Sequence, residues 1–188
     1  FRRVLFRSYN FNGVTDYLNT DEDQALYNGS SETLIIPNNV TKIPKNAYSG
    51  LELIKKVTIP DTVQEIGDSA FFGCSSLAEI TIPKSVTKIC SKAFQKCFSL
   101  TKITIPDTVQ EIGDSAFYEC TKLESITIPK GITKIASSAF QKCSSLAIVT
   151  IPDGVKEIGD SAFRECSLLK KITIPNSVTR SEERRVGK

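Results

Sequence analysis

Hydrophobic and polar positions along this chain recur every 23 residues. In residues 100–122, Leu100 is followed by Ile103 and Ile105, which alternate with Lys102 and Thr104. Period-two alternation predicts a short strand with one buried and one wet face. Pro106 has no backbone N–H to donate and ends that strand. Asp107-Thr108 predicts a corner, Val109 and Ile112 a second inward pair, and Gly113 the next bend. Ala116, Phe117 and Cys120 are expected to point inward from a helical or 3₁₀ turn. The frame repeats with prolines at Pro37, Pro60, Pro83, Pro106, Pro129, Pro152 and Pro175, and cysteines at Cys74, Cys97, Cys120, Cys143 and Cys166. A fixed period in this range is the signature of a solenoid, in which each repeat is one rung and touches its neighbours.

The frame covers residues 34–179. Its first repeat is atypical, with Tyr48 for Phe, Leu51 for Cys and Pro44 for the small residue. Residues 9–33 lack the period and are rich in Asn, Asp, Ser and Thr, as expected of a polar cap or a degenerate segment. Residues 1–8 and 180–188 fit neither. Leu5-Phe6-Arg7-Ser8 can be encoded by DNA whose reverse complement encodes Arg180-Ser181-Glu182-Glu183. Both tails therefore read as translated sequencing adaptor on a metagenomic fragment, and are set aside from fold reasoning. On that reading the solenoid is cut mid-repeat, and end-to-end self-association through an uncapped last rung is expected.

Charge changes once the tails are removed. Taking their seven basic and two acidic residues from totals of 24 and 21 leaves 17 basic and 19 acidic, a net of −2. The apparent basicity is then no argument for nucleic acid or anionic lipid. The charges are patterned: one column reads Lys42, Glu65, Lys88, Glu111, Lys134, Glu157, another Asp61, Lys84, Asp107, Lys130, Asp153, a third Lys96, Glu119, Lys142, Glu165. At one-rung spacing opposite charges attract, and a slip by one rung would set like against like.

The chain contains no histidine, so Ser-His-Asp and Cys-His catalysis and histidine metal ligation are excluded for it. The cysteine spacing matches no paired-cysteine zinc pattern, and no Gly-rich phosphate loop is present. No enzyme activity, metal or cofactor is expected. The cysteine column reads as small buried hydrophobes. Specificity in a repeat protein is expected where repeats differ outwardly. Phe72 and Tyr118 stand in a column otherwise holding Gln95, Gln141 and Arg164; Phe98 replaces a Ser or Thr; Ile148 interrupts a column of mostly charged residues. These four, with the outward column Thr58, Thr81, Thr104, Thr127 and Thr150, are the candidate partner-binding residues.

The run Ile-Thr-Ile-Pro-x-x-Val-x-x-Ile-Gly-x-x-Ala-Phe-x-x-Cys resembles the BspA-type leucine-rich repeat family over about residues 34–179. The asparagine ladder of ordinary leucine-rich repeats is replaced here by Thr62, Ser85, Thr108, Gly131, Gly154 and Ser177. The resemblance implies a right-handed leucine-rich-repeat solenoid with no catalytic residues. It also implies a cell-surface or secreted, adhesin-like protein that attaches to host proteins or other microbes. The expected function is a non-enzymatic protein-binding module, with no nucleic acid and no membrane insertion. The alternatives are an intracellular scaffold or a binding array attached to a catalytic domain.

Overall fold

A lone rung cannot enclose its apolar side chains; a stack can, because each inward residue then lies between copies of itself. The computed structural model describes residues 32–181, and neighbouring strands there pair one 23-residue period apart. Each full rung carries two short strands. In chain order they are β1 (Thr33–Ile35), β2 (Lys42–Ile43), β3 (Lys56–Thr58), β4 (Glu65–Ile66), β5 (Glu79–Thr81), β6 (Lys88–Ile89), β7 (Lys102–Thr104), β8 (Glu111–Ile112), β9 (Ser125–Thr127), β10 (Lys134–Ile135), β11 (Ile148–Thr150), β12 (Glu157–Ile158) and β13 (Arg180–Ser181). β1, β3, β5 and β7 form one parallel sheet and β2, β4, β6 and β8 another; β9 and β11 continue the first column, and β10, β12 and β13 the second. Rungs are numbered here from the buried Leu or Ile that opens each: rung two spans 54–76, three 77–99, four 100–122, five 123–145 and six 146–168. Residues 1–8, 182–188 and most of 9–33 lie outside the described residues, whereas Arg180–Ser181 pairs with Glu157–Ile158.

The core is a set of columns. Tyr48, Phe71, Phe94, Phe117, Phe140 and Phe163 stack ring on ring, with centroids 5.3 to 5.6 Å apart. Ala116, Cys120, Leu123, Val109 and Ile112 and their counterparts are buried around them, with no buried polar or charged residue among those described. Each large apolar side chain so buried stabilises by about 1.5–3 kcal/mol before ordering costs.

The expected helical or 3₁₀ turn is not there: among the described residues none is helical. The N–H groups of Ala70, Phe72 and Cys74 bond three residues back, to Gly67, Ser69 and Phe71. Those of Ser69, Phe71 and Gly73 instead reach the carbonyls of Ser91, Ala93 and Gln95 on the next rung. A helix would keep all these amides within the segment. Here alternate ones join rung to rung, and the arc becomes a third ladder. The alternation requires left-handed backbone at two positions per rung, Ser69 (φ 54°) and Gly73 (φ 71°) in rung two, Ser115 (56°) and Glu119 (60°) in rung four.

Corner hydroxyls replace part of the missing asparagine ladder. Thr62, Ser85 and Thr108 donate to the carbonyls of Val40, Val63 and Val86 at 2.7, 2.6 and 3.0 Å. Gly131 and Gly154 follow in that column and have no hydroxyl to give.

Successive junctions alternate in construction. A Cβ on Gly67, Gly113 or Gly159 would lie 2.5, 2.5 and 2.7 Å from backbone atoms of Ile43, Ser91 and Ser137 on the preceding rung. Rungs two, four and six therefore press closely on rungs one, three and five. Lys42–Glu65, Lys88–Glu111 and Lys134–Glu157 ion pairs, at 3.0, 2.9 and 2.9 Å, bridge the same junctions. The intervening junctions are closed by Asp68 and Asp114, whose carboxylates accept from the Ser91 and Ser137 N–H groups at 3.1 and 2.9 Å.

Between rungs four and five the ladders are interrupted: β7 does not pair with β9, nor β8 with β10, although the Glu124 N–H still bonds to Thr101 O and the Lys130 N–H to Asp107 Oδ1, both at 3.2 Å. The turn arc stays closed there, since Ser115, Phe117 and Glu119 still bond to Ser137, Ala139 and Gln141. The stack is thus parted only along the second-strand column, where the Thr133 and Ala136 N–H groups do not reach Gln110 O and Ile112 O as their counterparts do at the other junctions.

Candidate functional site

Strand pleating turns every second side chain of the first-strand column outward. Thr58, Thr81, Thr104, Thr127 and Thr150 are all exposed and stand in line, with Thr81 opposite Thr104 and Thr127 opposite Thr150. Beside them runs a second outward column, Lys56, Glu79, Lys102, Ser125 and Ile148. Ile148 is 63% exposed and lies opposite Ser125. Phe98 is 40% exposed on the loop that leads into β7, and its carbonyl accepts from the Thr121 hydroxyl of the following rung.

Phe72 and Tyr118 are elsewhere. They sit half-buried on the turn arc, each with a lysine from the next rung over its ring: Lys96 at 5.8 Å and Lys142 at 5.3 Å. The Tyr118 hydroxyl and the Glu119 carboxylate, 3.1 Å from the Lys142 amine, hold that ammonium above the usual lysine range. The sequence candidates therefore divide into a strand-face group and an arc pair already engaged by cations.

Four exposed apolar residues escaped the sequence reading: Ile35, Leu53 and Leu168, and Ile174 from an otherwise inward column. The signal was present. Ile35 breaks the threonine column, and Leu53 and Leu168 break a column that otherwise reads Ser76, Ser99, Lys122, Ser145. With Ile148 they place apolar contacts toward both ends of a strand side whose middle is threonine and charge.

The cysteines have a defined structural task. The thiols of Cys74, Cys97, Cys120, Cys143 and Cys166 donate to the carbonyls of Tyr48, Phe71, Phe94, Phe117 and Phe140 at 3.1 to 3.3 Å. The Phe94 carbonyl also takes the Cys97 N–H, so the thiol of Cys120 fills a second lone pair on a dry oxygen. Burial pushes the Cys74 thiol up to about 12 and those of Cys97, Cys120 and Cys143 above the ordinary value as well. Thiols so held have little thiolate with which to attack a disulfide or bind a metal. All six cysteines are buried. Cys90 differs: its thiol donates to Glu65 at 3.2 Å. Burial raises the Glu65 carboxyl, but hydrogen bonds from Lys42 and Cys90 outweigh this and hold it below the usual range. Among the described residues no acidic or cysteine cluster could hold a metal ion, and no helix is long and apolar enough to cross a membrane.

A family model described as the BspA type leucine rich repeat region matches residues 19–100 and 87–185, in 6 copies. The fold is similar to that of a leucine-rich cell surface protein from Faecalibacterium prausnitzii, at 39% identity and TM-score 0.77, covering 82% of this chain and 44% of that one. A leucine-rich repeat protein from Bacteroides ovatus matches at 33% identity and TM-score 0.70, covering 81% of this chain and 48% of that one. One from Eubacterium ventriosum matches at 30% and 0.75, covering 81% and 41%. The chain thus spans less than half the length of these relatives. No curated protein matches it.

Proposed function

The chain belongs to the BspA-type leucine-rich repeat family, and from that premise we propose that it is a non-enzymatic protein-binding module of a cell-surface or secreted, adhesin-like protein. The observation that carries the reading is the first-strand side: aligned, exposed threonines broken by exposed Ile35, with exposed Ile148 in the neighbouring column and Phe98 at the margin. A short hydroxyl column presents little that must be ordered on binding, and apolar residues at particular rungs supply anchors and register. The thiol column is compatible with an oxidising exterior, because its members are dry and hydrogen-bonded.

The test is binding to a panel of purified host matrix and bacterial surface proteins by surface plasmon resonance. Phe98→Ser with Ile148→Lys should weaken a positive interaction by about tenfold or more, while Phe72→Gln, on the arc, leaves it unchanged. The reading is overturned if no panel member binds, or if the arc substitution alone abolishes binding.

A further inference from the structure

The second-strand column is open between rungs four and five, along a groove of about 370 Å³ lined by Gln110, Ile112, Gly113, Thr133, Lys134 and Ala136. At every other junction from rung one to rung six, two backbone bonds flank that column, such as Thr87 N–H to Gln64 O and Cys90 N–H to Ile66 O. The equivalents here, Thr133 N–H to Gln110 O and Ala136 N–H to Ile112 O, are not made, and β8 does not pair with β10. What crosses at the column's two ends is side chain: Asp107 accepts from the Lys130 N–H at 3.2 Å and Asp114 from the Ser137 N–H at 2.9 Å. The opposite side is held by backbone. The Ser115, Phe117 and Glu119 N–H groups reach rung five at 2.8 to 2.9 Å, the Glu124 N–H reaches Thr101 O, and Phe117 stacks on Phe140 at 5.3 Å.

Local residues account for the difference. Between rungs two and three the Ser85 hydroxyl donates to Val63 O and the Cys90 thiol to Glu65. Gly131 and Ala136 hold those two positions in rung five and can make neither bond. Ile132 stands where rung three has Val86, adding a buried methylene at the same corner. Glu111 pairs back to Lys88 and Lys134 forward to Glu157, so neither pair crosses here. Behind the column, Ile112, Ile132, Ile135 and Phe140 border a packing gap too small for water. Opening there forfeits fewer contacts than at a close-packed junction.

We infer that this junction is a hinge: residues 32–122 and 123–181 move as two bodies, pivoting on the bonded arc while the second-strand column opens and closes. A carboxylate can follow its N–H partner through a small rotation by changing rotamer, whereas paired strand backbone cannot. Phe98 lies on the first body and Ile148 on the second. The hinge angle therefore sets the spacing of these two anchors on the first-strand side. That consequence rests on the binding role proposed above; the hinge itself does not.

The test takes the full chain, weakly aligned, and reads backbone amide dipolar couplings and hydrogen exchange by NMR. Couplings from residues 32–122 and from 123–181 should each fit the structure, but with separate alignment tensors, the one for 123–181 smaller in magnitude. Thr133 and Ala136 amides should exchange about tenfold or more faster than those of Thr87 and Cys90. Combined Gly131→Ser, Ile132→Val and Ala136→Cys, which copies rung three, should protect both amides and bring all couplings under one tensor. Asp114→Ala should shrink the 123–181 tensor further. Asp68→Ala removes the same kind of tether between rungs two and three, where the backbone bonds remain, and should leave 32–122 under one tensor. A single tensor for the unsubstituted chain would overturn the inference. So would equal protection of the four amides, or two tensors that persist in the triple variant. All these readings are made without a partner, so failure of the proposed binding role leaves them unchanged.

Discussion

Single residues carry strain that the periodic pattern conceals. Ser69, Ser115, Ser138 and Ser161 all have φ between 54° and 57°, and Lys96, Glu119, Lys142 and Glu165 between 60° and 62°. A left-handed residue with a Cβ costs roughly 1–2 kcal/mol, while glycine gives back about 0.5–1 kcal/mol through its freer unfolded chain. Ser115 has no side-chain hydrogen bond to lose among those observed. Ser115→Gly should therefore stabilise by about 0.5–1 kcal/mol, read as a higher urea midpoint at unchanged slope. A lower midpoint would show that the arc is not held in the left-handed conformation in solution. This conformation could not be read from the sequence. Gly50 and Gly73 occupy one of the two columns, but Lys, Glu and Ser in the later rungs carry no left-handed signal of their own. A helical turn was the natural expectation from Ala-Phe-x-x-Cys spacing.

At the scale of elements, the columns that face inward were legible and the bonds between them were not. Period-two alternation predicted β7 and the burial of Ile103, and the fixed Ala-Phe-x-x-Cys spacing predicted the aromatic and thiol columns. Cysteine read only as a small hydrophobe, because a thiol donating to a carbonyl 26 residues earlier has no trace in local sequence. The burial of these thiols has a pH consequence. In the unfolded chain these thiols ionise near 9, whereas folded Cys74 and Cys90 are pushed up to about 12 and Cys97, Cys120 and Cys143 are also raised. Folded pKa values above unfolded ones mean stability that is fully present below pH 9 and lost as pH rises toward the folded values. Each thiol contributes a slope of about −1.4 kcal/mol per pH unit once the unfolded state has lost its proton. The urea midpoint, measured under reducing conditions, should be flat from pH 7 to 8.5 and fall steeply above 9. Cys97→Ala with Cys120→Ala should start lower and fall less steeply. A wild-type midpoint unchanged between pH 9 and 10 would sink the account, and this window lies below the ionisation of ordinary lysines.

For the whole molecule, the structural unit is a pair of rungs rather than a single one. The alternating charge columns suggested as much, but charge alone is a weak argument, since exposed ion pairs contribute little. The glycines are stronger. Gly113 is seated where a Cβ would stand 2.5 Å from Ser91 N, whereas its column neighbours Cys90 and Ala136 each carry a Cβ. Removing residues 100–122, one rung, would place Ala136 against Cys90 and Ser91. It would also set Lys88 opposite Lys134 and Lys84 opposite Lys130. Overpacking against backbone of this kind costs typically 1–3 kcal/mol, and the like-charge columns add to it. Removing residues 100–145, two rungs, instead seats Gly159 against Cys90 and Ser91, and sets Glu157 opposite Lys88 and Asp153 opposite Lys84. That new junction reproduces the native one between rungs three and four. It also eliminates the parted junction. The shorter protein should therefore melt higher than the longer one, against the general expectation that each added repeat stabilises a solenoid. Thermal unfolding of the two deletions, side by side, decides it: if the one-rung deletion melts at the same temperature or above, rungs are interchangeable and the paired construction has no energetic meaning.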